Sequence, residues 1–160
     1  MKLYIKPSEL IIDHTGGLPT HVADKMMIFH ILPVNTIRFR AGYAITASDR
    51  SGYRSKEHEI KKGRRPTPNK DWSRHTYEPE LTSDPEGKGA TDWRTVDLRN
   101  MKDFARKLID DTDYSRLCYY PDMNFIHSDY KHESRGKRLF LATADGWKQM
   151  ERNEFIDIIH

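Results

Sequence analysis

The sequence predicts an α+β fold in which helices flank a small antiparallel sheet. Apolar residues recur at helical spacing near the start of the chain and again in its second half. After residue 115, short runs of β-forming residues follow one another with turn signals between them. Helices that are separated along the chain from such strands are typical of α+β proteins.

Size and composition predict one folded unit. The chain has 160 residues and a mass of 18.8 kDa, which suits a single domain. Charged residues make up 32% of the chain, but 11% aromatic residues argue against disorder. We therefore expect residues 1–160 to form one domain. The single cysteine, Cys118, lies in an apolar stretch, which predicts a small buried side chain.

The N-terminal half predicts an apolar arm, a helix, a strand and a long loop region. The arm covers residues 1–19 and ends in a Gly-Gly-Leu-Pro turn signal. The helix has its apolar positions within residues 22–31, and Pro33 should end or kink it. Residues 43–47 indicate a short strand. From residue 53 to residue 92, glycine and proline recur, which is typical of a functional loop region.

The C-terminal half predicts an amphipathic helix, three strands and a last helix. The first helix covers residues 96–111. The strands cover residues 116–120, 124–131 and 138–142, with hairpin-like turns between them, so an antiparallel meander is the simplest arrangement. A final helix over residues 147–159 would cover one face of the sheet.

Charge and hydropathy restrict the partners and the location. No apolar run has the length of a signal peptide or of a membrane span, so we expect synthesis in a cytoplasm and no membrane span. The net charge is +3, and residues 50–74 hold nine Lys or Arg against three Asp or Glu. This basic loop could steer an anionic partner towards the protein. Because no nucleic-acid module is recognisable, nucleic acid is the less favoured partner.

His75, Asp92 and His127 are candidate metal ligands. Residues 125–129 predict a strand on which Phe125, His127 and Asp129 share one face. Two imidazoles and one carboxylate would leave one coordination position open, as in a catalytic zinc site. Gly87 and Gly89 permit a tight turn just before Asp92. Spacing alone does not single out these three side chains among eight histidines and many carboxylates.

Four ordered motifs resemble those of the D-alanyl-D-alanine carboxypeptidase-type zinc peptidases. The motifs are Ser-Gly-Tyr-Arg-Ser at 51–55, Ser-Arg-His at 73–75, Gly-Lys-Gly-Ala-Thr-Asp at 87–92 and Phe-Ile-His-Ser-Asp at 125–129. That family includes phage endolysins, the vancomycin-resistance D,D-dipeptidase and, more distantly, the hedgehog signalling domain. The resemblance implies a hedgehog-like or peptidase-like fold with Zn²⁺ bound by His75, Asp92 and His127. It also implies that Arg54 stabilises an oxyanion or a substrate carboxylate and that Ser73 supports the loop of His75.

The chain departs from the family pattern at two places. His75 and Asp92 are seventeen positions apart, farther than is common in the family, so residues 76–88 must form an insertion. The position three residues before His127, where many members carry a carboxylate as general base, is Asn124. We expect Asp129 to replace it, or else Asp122 in the preceding turn. The alternative for Asp129 is an ion pair with a nearby Lys or Arg.

These features predict a zinc metallopeptidase that cleaves the stem peptides of peptidoglycan. It would act as an endolysin-like endopeptidase or as a D,D-carboxypeptidase. A phage-encoded enzyme of this kind would reach the wall after release from the host cytoplasm or as a virion component. One alternative is an inactive zinc-binding scaffold or virion component. Another is a nucleic-acid-binding module that uses the basic loop 50–74, with Tyr53 and Trp72 as stacking platforms.

Overall fold

One six-stranded sheet organises the molecule. A computed structural model describes residues 2–12, 17–64, 72–79, 82, 84, 86–130 and 136–160. The strands are β1 Ile45–Ala47, β2 Ala90–Thr95, β3 Arg116–Tyr120, β4 Phe125–Asp129, β5 Arg138–Thr143 and β6 Gly146–Met150. Their order in the sheet is β1-β2-β4-β3-β5-β6. The predicted α+β class is confirmed, but the sheet is mixed instead of purely antiparallel.

Four helices accompany the sheet in the described part of the chain. Helix α1 is a continuous run that consists of Thr20–Met26, a π-helical turn Met27–Ile31 and Leu32–Ala41. The other helices are α2 Lys56–Lys61, α3 Met101–Asp111 and α4 Arg152–Asp157. None of these described helices combines the length and the apolar character that crossing a membrane requires.

Helix α1 continues past Pro33 instead of ending there. Proline lies in the first turn of Leu32–Ala41, directly after the π-helical turn. The wider π turn accommodates the proline ring and its missing N–H, so the helical backbone continues. The helix ends at Gly42, whose φ of 76° is left-handed and whose N–H donates to the Arg38 carbonyl oxygen.

The β3–β4 hairpin confirms the predicted pairing of these two strands. Its register places Arg116 opposite Asp129 and Cys118 opposite His127. The predicted meander is wrong at β5, which runs parallel to β3. The other edge of β4 is already taken by β2, so β5 joins the sheet on the far side of the hairpin.

The last predicted helix is wrong over residues 146–150, which form strand β6. Gly146 has a φ of 118° and closes a tight hairpin with β5. Helix α4 begins only at Arg152, where Glu151 and Glu154 form a capping box. The side chains of residues 147 and 149 therefore lie on one face of the sheet instead of on two sides of a helix.

The two faces of the sheet have different surroundings. One face packs on the helices, and its buried side chains include Trp93, Leu117, Ile126 and Leu139. Side chains alternate along a strand, so Asp92, Cys118 and His127 lie on the opposite face. Cys118 is buried there as predicted, and burial raises the pKa of its thiol. The polar chemistry of the protein is thus separated from its apolar core by the sheet itself.

His30 lies in a buried chain of hydrogen bonds on the helix side of the sheet. Trp93 Nε1 donates to the Tyr114 hydroxyl at 3.0 Å, and this hydroxyl lies 2.9 Å from His30 Nδ1. His30 Nε2 lies 2.8 Å from the carbonyl oxygen of Lys88. Because a carbonyl only accepts, Nε2 carries the proton and Nδ1 accepts from Tyr114. Burial lowers the pKa of His30 from 6.5 to about 3, so the ring is neutral at neutral pH.

Acid should destabilise the fold through His30. Between pH 6.5 and about 3 the unfolded chain binds a proton here and the folded chain does not. Stability is therefore lost as the pH falls through this interval, by up to about 5 kcal/mol from this residue. In urea unfolding of the metal-free protein, His30→Asn should be less stable than the wild type near neutral pH. It should also lose less stability on acidification.

An exposed histidine on the same helix provides the control for this measurement. His21→Asn is the matched substitution, because His21 is exposed in the first turn of α1, and it should leave the stability near neutral pH unchanged. Equal slopes in the wild type and in His30→Asn would contradict the assignment.

Candidate metal centre

Three chain segments bring His75, Asp92 and His127 together. Asp92 on β2 and His127 on β4 are direct partners across an antiparallel pair, so their side chains are neighbours on one face. His75 belongs to the 3-10 turn Arg74–Thr76, which lies over this face. The sequence predicts Asp92 in a loop, and the structure corrects this, because residues 90–95 form strand β2.

Each of the three side chains offers one donor atom to a common point. Asp92 Oδ1 lies 2.8 Å from His127 Nδ1 and 3.5 Å from His75 Nε2, and these two nitrogens are 3.3 Å apart. Ligands that are about 2.1 Å from a tetrahedral ion stand about 3.4 Å from one another. The triangle has the size that one ion requires, so this buried His-Asp-His triad could bind a metal ion.

Backbone contacts fix the orientation of the His75 ring. Its Nδ1 donates to the carbonyl oxygen of Gly52 at 2.7 Å, which leaves the lone pair of Nε2 for a metal ion. Burial lowers the pKa of His75, which favours the neutral ring that binds metal. The Ser73 hydroxyl accepts from the backbone N–H of His75 at 3.4 Å and caps the turn. Ser73 thus lies where a support for this loop was predicted.

The two oxygens of Asp92 have different neighbours. Oδ2 accepts from the Ser51 hydroxyl at 2.5 Å and from Arg54 Nη2 at 3.1 Å, whereas Oδ1 faces the two histidines. Burial alone would raise the pKa of Asp92, but the two imidazoles hold it well below its usual range. Asp92 is therefore ionised, with one oxygen held by the protein and the other directed at the common point.

A second carboxylate supports His127 from behind. His127 Nε2 lies 2.9 Å from Asp129 Oδ2, so an N–H at this position donates to the carboxylate while Nδ1 faces Asp92. Metal-binding histidines commonly donate their other N–H in this way. Burial lowers the pKa of His127, but the hydrogen bonds with Asp129 and Asp92 outweigh burial and raise it. A metal ion that binds at Nδ1 therefore has to displace a proton.

Asp129, the first candidate for the general base, is buried against an arginine. Its side chain is 0% exposed, and Arg116 Nε lies 3.0 Å from each of its oxygens. Burial alone would raise the pKa of Asp129, but His127 and Arg116 hold it far below its usual range. Such a carboxylate is a weak proton acceptor. Its contacts agree with the alternative of an arginine ion pair, and its place behind His127 orients that ring.

The other two residues considered at the base position lie in the β3–β4 turn. Asn124 has a left-handed φ of 51°, and its Oδ1 accepts from the Tyr119 hydroxyl at 3.1 Å. Tyr119 is buried on the helix side of the sheet, so the Asn124 amide is directed towards the core. Asp122 is exposed in the same turn. Of the two carboxylates that the sequence proposes as a base, Asp122 is the one open to solvent.

Arg54 lies beside the triad and is held on two sides. Its Nη2 contacts Asp92 and the Ser51 hydroxyl, the latter at 2.5 Å, and its Nη1 lies 3.7 Å from Oε1 of the buried Glu59. Its backbone N–H donates to the His75 carbonyl oxygen at 2.9 Å. Arg54 therefore places a permanent positive charge next to the metal ligands and ties the loop of His75 to the strand of Asp92.

The basic loop falls only partly within the described residues, because residues 65–71 lie outside them. Tyr53 packs edge to face against the buried Tyr77, with the ring centroids 6.4 Å apart. Trp72 is half-buried. The use of this loop for nucleic acid stays a prediction.

Gly89 is required by the turn that precedes Asp92. Its φ is 83°, and a Cβ at this position would lie 2.2 Å from the Tyr77 ring. No other residue type can bring the backbone so close to a buried ring. Gly87 also has a positive φ, of 57°. The predicted glycine turn before Asp92 is therefore confirmed.

Sequence reasoning missed the contacts that Ser51, Gly52, Arg116 and Trp147 make with the site. Arg116 could have been found by counting outward from the β3–β4 turn, which places it opposite Asp129. Trp147 was expected in a helix, but it lies on β6 with its ring 5.4 Å from the His127 ring. The contacts of Ser51 and Gly52 join segments far apart in the chain, which no local pattern indicates.

Comparison with family models, with curated proteins and with solved structures gave no match. The fold and the site together define a mixed α+β domain with a buried His-Asp-His triad that could hold a metal ion.

Substitution of Asp129 should separate its two possible roles. Asp129→Asn should lower the zinc affinity by about 10- to 100-fold, because an amide supports the His127 ring less well than a carboxylate does. Competition with a chromogenic chelator measures this affinity. Asp122→Asn, which changes the exposed carboxylate, should bind zinc like the wild type. Wild-type zinc affinity in Asp129→Asn would contradict the orienting role and favour the general base.

Proposed function

We propose that the protein is a zinc-dependent peptidase that hydrolyses peptide bonds in bacterial cell-wall peptidoglycan. One observation carries the proposal: His75 Nε2, Asp92 Oδ1 and His127 Nδ1 converge at separations of 2.8 to 3.5 Å. Three protein ligands with an open fourth position are typical of catalytic zinc sites, whereas structural sites use four. The four motifs that resemble the D-alanyl-D-alanine carboxypeptidase-type peptidases contain all three residues.

The donor set favours zinc over other common cations. Two imidazole nitrogens and one carboxylate oxygen suit zinc, while magnesium and calcium prefer sites made mainly of oxygen. The close spacing of the donors suits a four-coordinate ion. The buried Cys118 is on the same face but is not part of the cluster of possible ligands.

The side chains around the triad fit the chemistry of amide hydrolysis. Zinc bound here would lower the pKa of water in its open position from about 16 towards 7 and polarise the scissile carbonyl. The Arg54 guanidinium, 3.1 Å from Asp92 Oδ2, would stabilise the negative charge that develops on the carbonyl oxygen. Asp122 would accept the proton of the attacking water and return it to the leaving amine. The hydrogen bonds behind each ligand keep the site organised before substrate binds.

We choose cell-wall peptide as the substrate because of the motifs that resemble those of the zinc peptidases and because of the arginines near the triad. Arg54, Arg74 and Arg116 contact or approach the carboxylates of Asp92 and Asp129, so three guanidinium groups lie close to the triad. Stem peptides of peptidoglycan carry free carboxylates, which guanidinium groups bind well. Both an endopeptidase and a D,D-carboxypeptidase are compatible with this charge. We place the action at the wall after release from a host cell or within a virion.

A zinc-binding scaffold without hydrolytic activity is the second candidate. Asn124, which occupies the position of the family's general base, is hydrogen-bonded to Tyr119, and the Asp129 carboxylate is paired with Arg116. Neither side chain is therefore free to act as a base, which favours the scaffold. In such a protein the ion would serve mainly to stabilise the fold. The hedgehog domain provides an example of this kind within the family that the motifs resemble.

Zinc-loaded protein should release new amino groups from purified peptidoglycan. A chelator should abolish the release, and added zinc should restore it. Asp92→Ala should bind zinc far more weakly than the wild type and should lose activity. Arg54→Gln should cleave about 100-fold more slowly than the wild type, since it removes a charge that acts on the developing oxyanion.

Asp122→Asn distinguishes the two candidate functions. Retained zinc with a loss of cleavage of about 100-fold would support a hydrolase that uses this base. A wild-type protein that holds one zinc ion but releases no amino groups from peptidoglycan would contradict the peptidase and support the scaffold. Mass analysis of the released muropeptides identifies the scissile bond.

A further inference from the structure

The chain of contacts behind His127 extends beyond Asp129 to strand β6. Arg116 on β3 donates through Nε and Nη2 to the Asp129 carboxylate. The Arg116 guanidinium lies over the ring of Trp147, with Cζ 4.5 Å from the ring centroid. The Trp147 ring also lies 5.4 Å from the His127 ring. Trp147 therefore contacts the candidate metal ligand and also the arginine that holds the supporting carboxylate of that ligand.

The Trp147 ring is itself fixed by aromatic neighbours on the same face of the sheet. Its Nε1 donates to the Tyr120 hydroxyl at 2.9 Å, and the Phe140 ring lies 5.7 Å away. Tyr120 stacks on Phe125, with ring centroids 4.6 Å apart and planes at 17°. Phe125 is two residues from His127 on β4. The half-buried indole is thus held beside the site by these aromatic contacts.

We propose that Trp147 and Arg116 are positioning residues of the metal centre. They hold the Asp129 carboxylate, and through it the His127 ring, in the orientation that directs Nδ1 of His127 at the metal ion. The β5–β6 hairpin, which contributes no ligand, thereby sets the affinity of the site. This proposal depends on the metal site of the proposed function but not on its peptidase activity.

Two physical effects support this role. A guanidinium over an indole face gains a cation–π attraction, which restricts the directions in which it can donate. The indole also excludes water from one side of the ion pair, which strengthens the attraction between Arg116 and Asp129. The side chains of these two residues are only 15% and 0% exposed. A carboxylate that is held this firmly restrains the imidazole that donates to it, so fewer ring orientations compete with the metal-binding one.

The hairpin offers a matched control. Leu141 lies on β5 one position away from the site-facing residues, so its side chain is on the helix side of the sheet, packed against the core. Leu141→Ala should weaken the packing of the hairpin without changing the face that carries Trp147.

The test measures zinc affinity by chelator competition and the visible absorption of bound Co²⁺ in purified variants. Trp147→Ala should bind zinc about 10-fold more weakly than the wild type and should change the cobalt spectrum. Trp147→Phe keeps an aromatic face and should recover part of this loss. Arg116→Lys should lose about 10-fold, because an ammonium group cannot make the paired contact with Asp129 or stack on the indole. Leu141→Ala should keep the wild-type affinity and spectrum.

Wild-type zinc affinity in both Trp147→Ala and Arg116→Lys would overturn the proposal and leave the metal centre intact. An equal loss in Leu141→Ala and Trp147→Ala would also overturn it, because the effect would then belong to hairpin stability. If Trp147→Ala does not fold, Trp147→Phe and Arg116→Lys decide the question by the same comparison. A wild-type protein without bound zinc would overturn the metal centre itself, and this proposal with it.

Discussion

The cross-strand pairing of Asp92 with His127 is the constraint on which the site depends. It places a carboxylate and an imidazole side by side on two central strands, where both are nearly inaccessible to water. A buried charge without a partner would cost several kcal/mol. The surrounding chain compensates for it: Ser51 and Arg54 bond to one oxygen of Asp92, and His75 and His127 face the other.

The site contains two buried carboxylates, and arginine neutralises each of them from outside. Arg54 contacts Asp92, and Arg116 contacts Asp129. Because the arginines balance the charges of the two carboxylates, little uncompensated negative charge is buried. The two imidazoles can then serve as neutral ligands of a cation. The apolar helix layer lies on the other face of the sheet, so the polar groups of the site do not interrupt the hydrophobic core. A rigid central sheet between the two is a suitable scaffold for ligands that must keep fixed separations.

Sequence patterns predicted those elements whose formation depends on neighbouring residues in the chain. Strand β3 and the β3–β4 turn follow from β-forming residues around a Tyr-Pro-Asp turn, although β4 covers Phe125–Asp129 instead of residues 124–131. Helix α3 ends at Asp111 as its apolar periodicity predicts, but it begins at Met101 instead of residue 96. The parallel pairing of β5 with β3 was not predictable in the same way, because it depends on which sheet edge remains free after β2 has paired. Residues 147–159 contain apolar positions compatible with a helix, and only the hairpin turn at Gly146 shows that the first of them form a strand.

In the site, too, local motifs indicated some residues, whereas the roles of others depend on long-range contacts. His75, Asp92 and His127 were identifiable from motifs, and the motif around 51–55 indicated Arg54. The role of Asp129 was not identifiable, because face-sharing with His127 is compatible with a base as well as with a support. The contacts of Arg116 with Asp129 and of Trp147 with the His127 ring favour the supporting role, and the contact of Trp147 arises only in the folded sheet. Tertiary contacts thus narrow the possible roles of side chains that local patterns only indicate.

X-ray absorption at the zinc edge of the zinc-loaded protein tests the central claim most directly. Convergence of His75, Asp92 and His127 on one ion predicts about four nitrogen or oxygen neighbours at about 2.0–2.1 Å, with the outer-shell scattering of two imidazoles. The imidazole scattering should fall by half in His127→Ala. A sulfur neighbour at about 2.3 Å, a shell of about six oxygens, or unchanged imidazole scattering in that variant would contradict it.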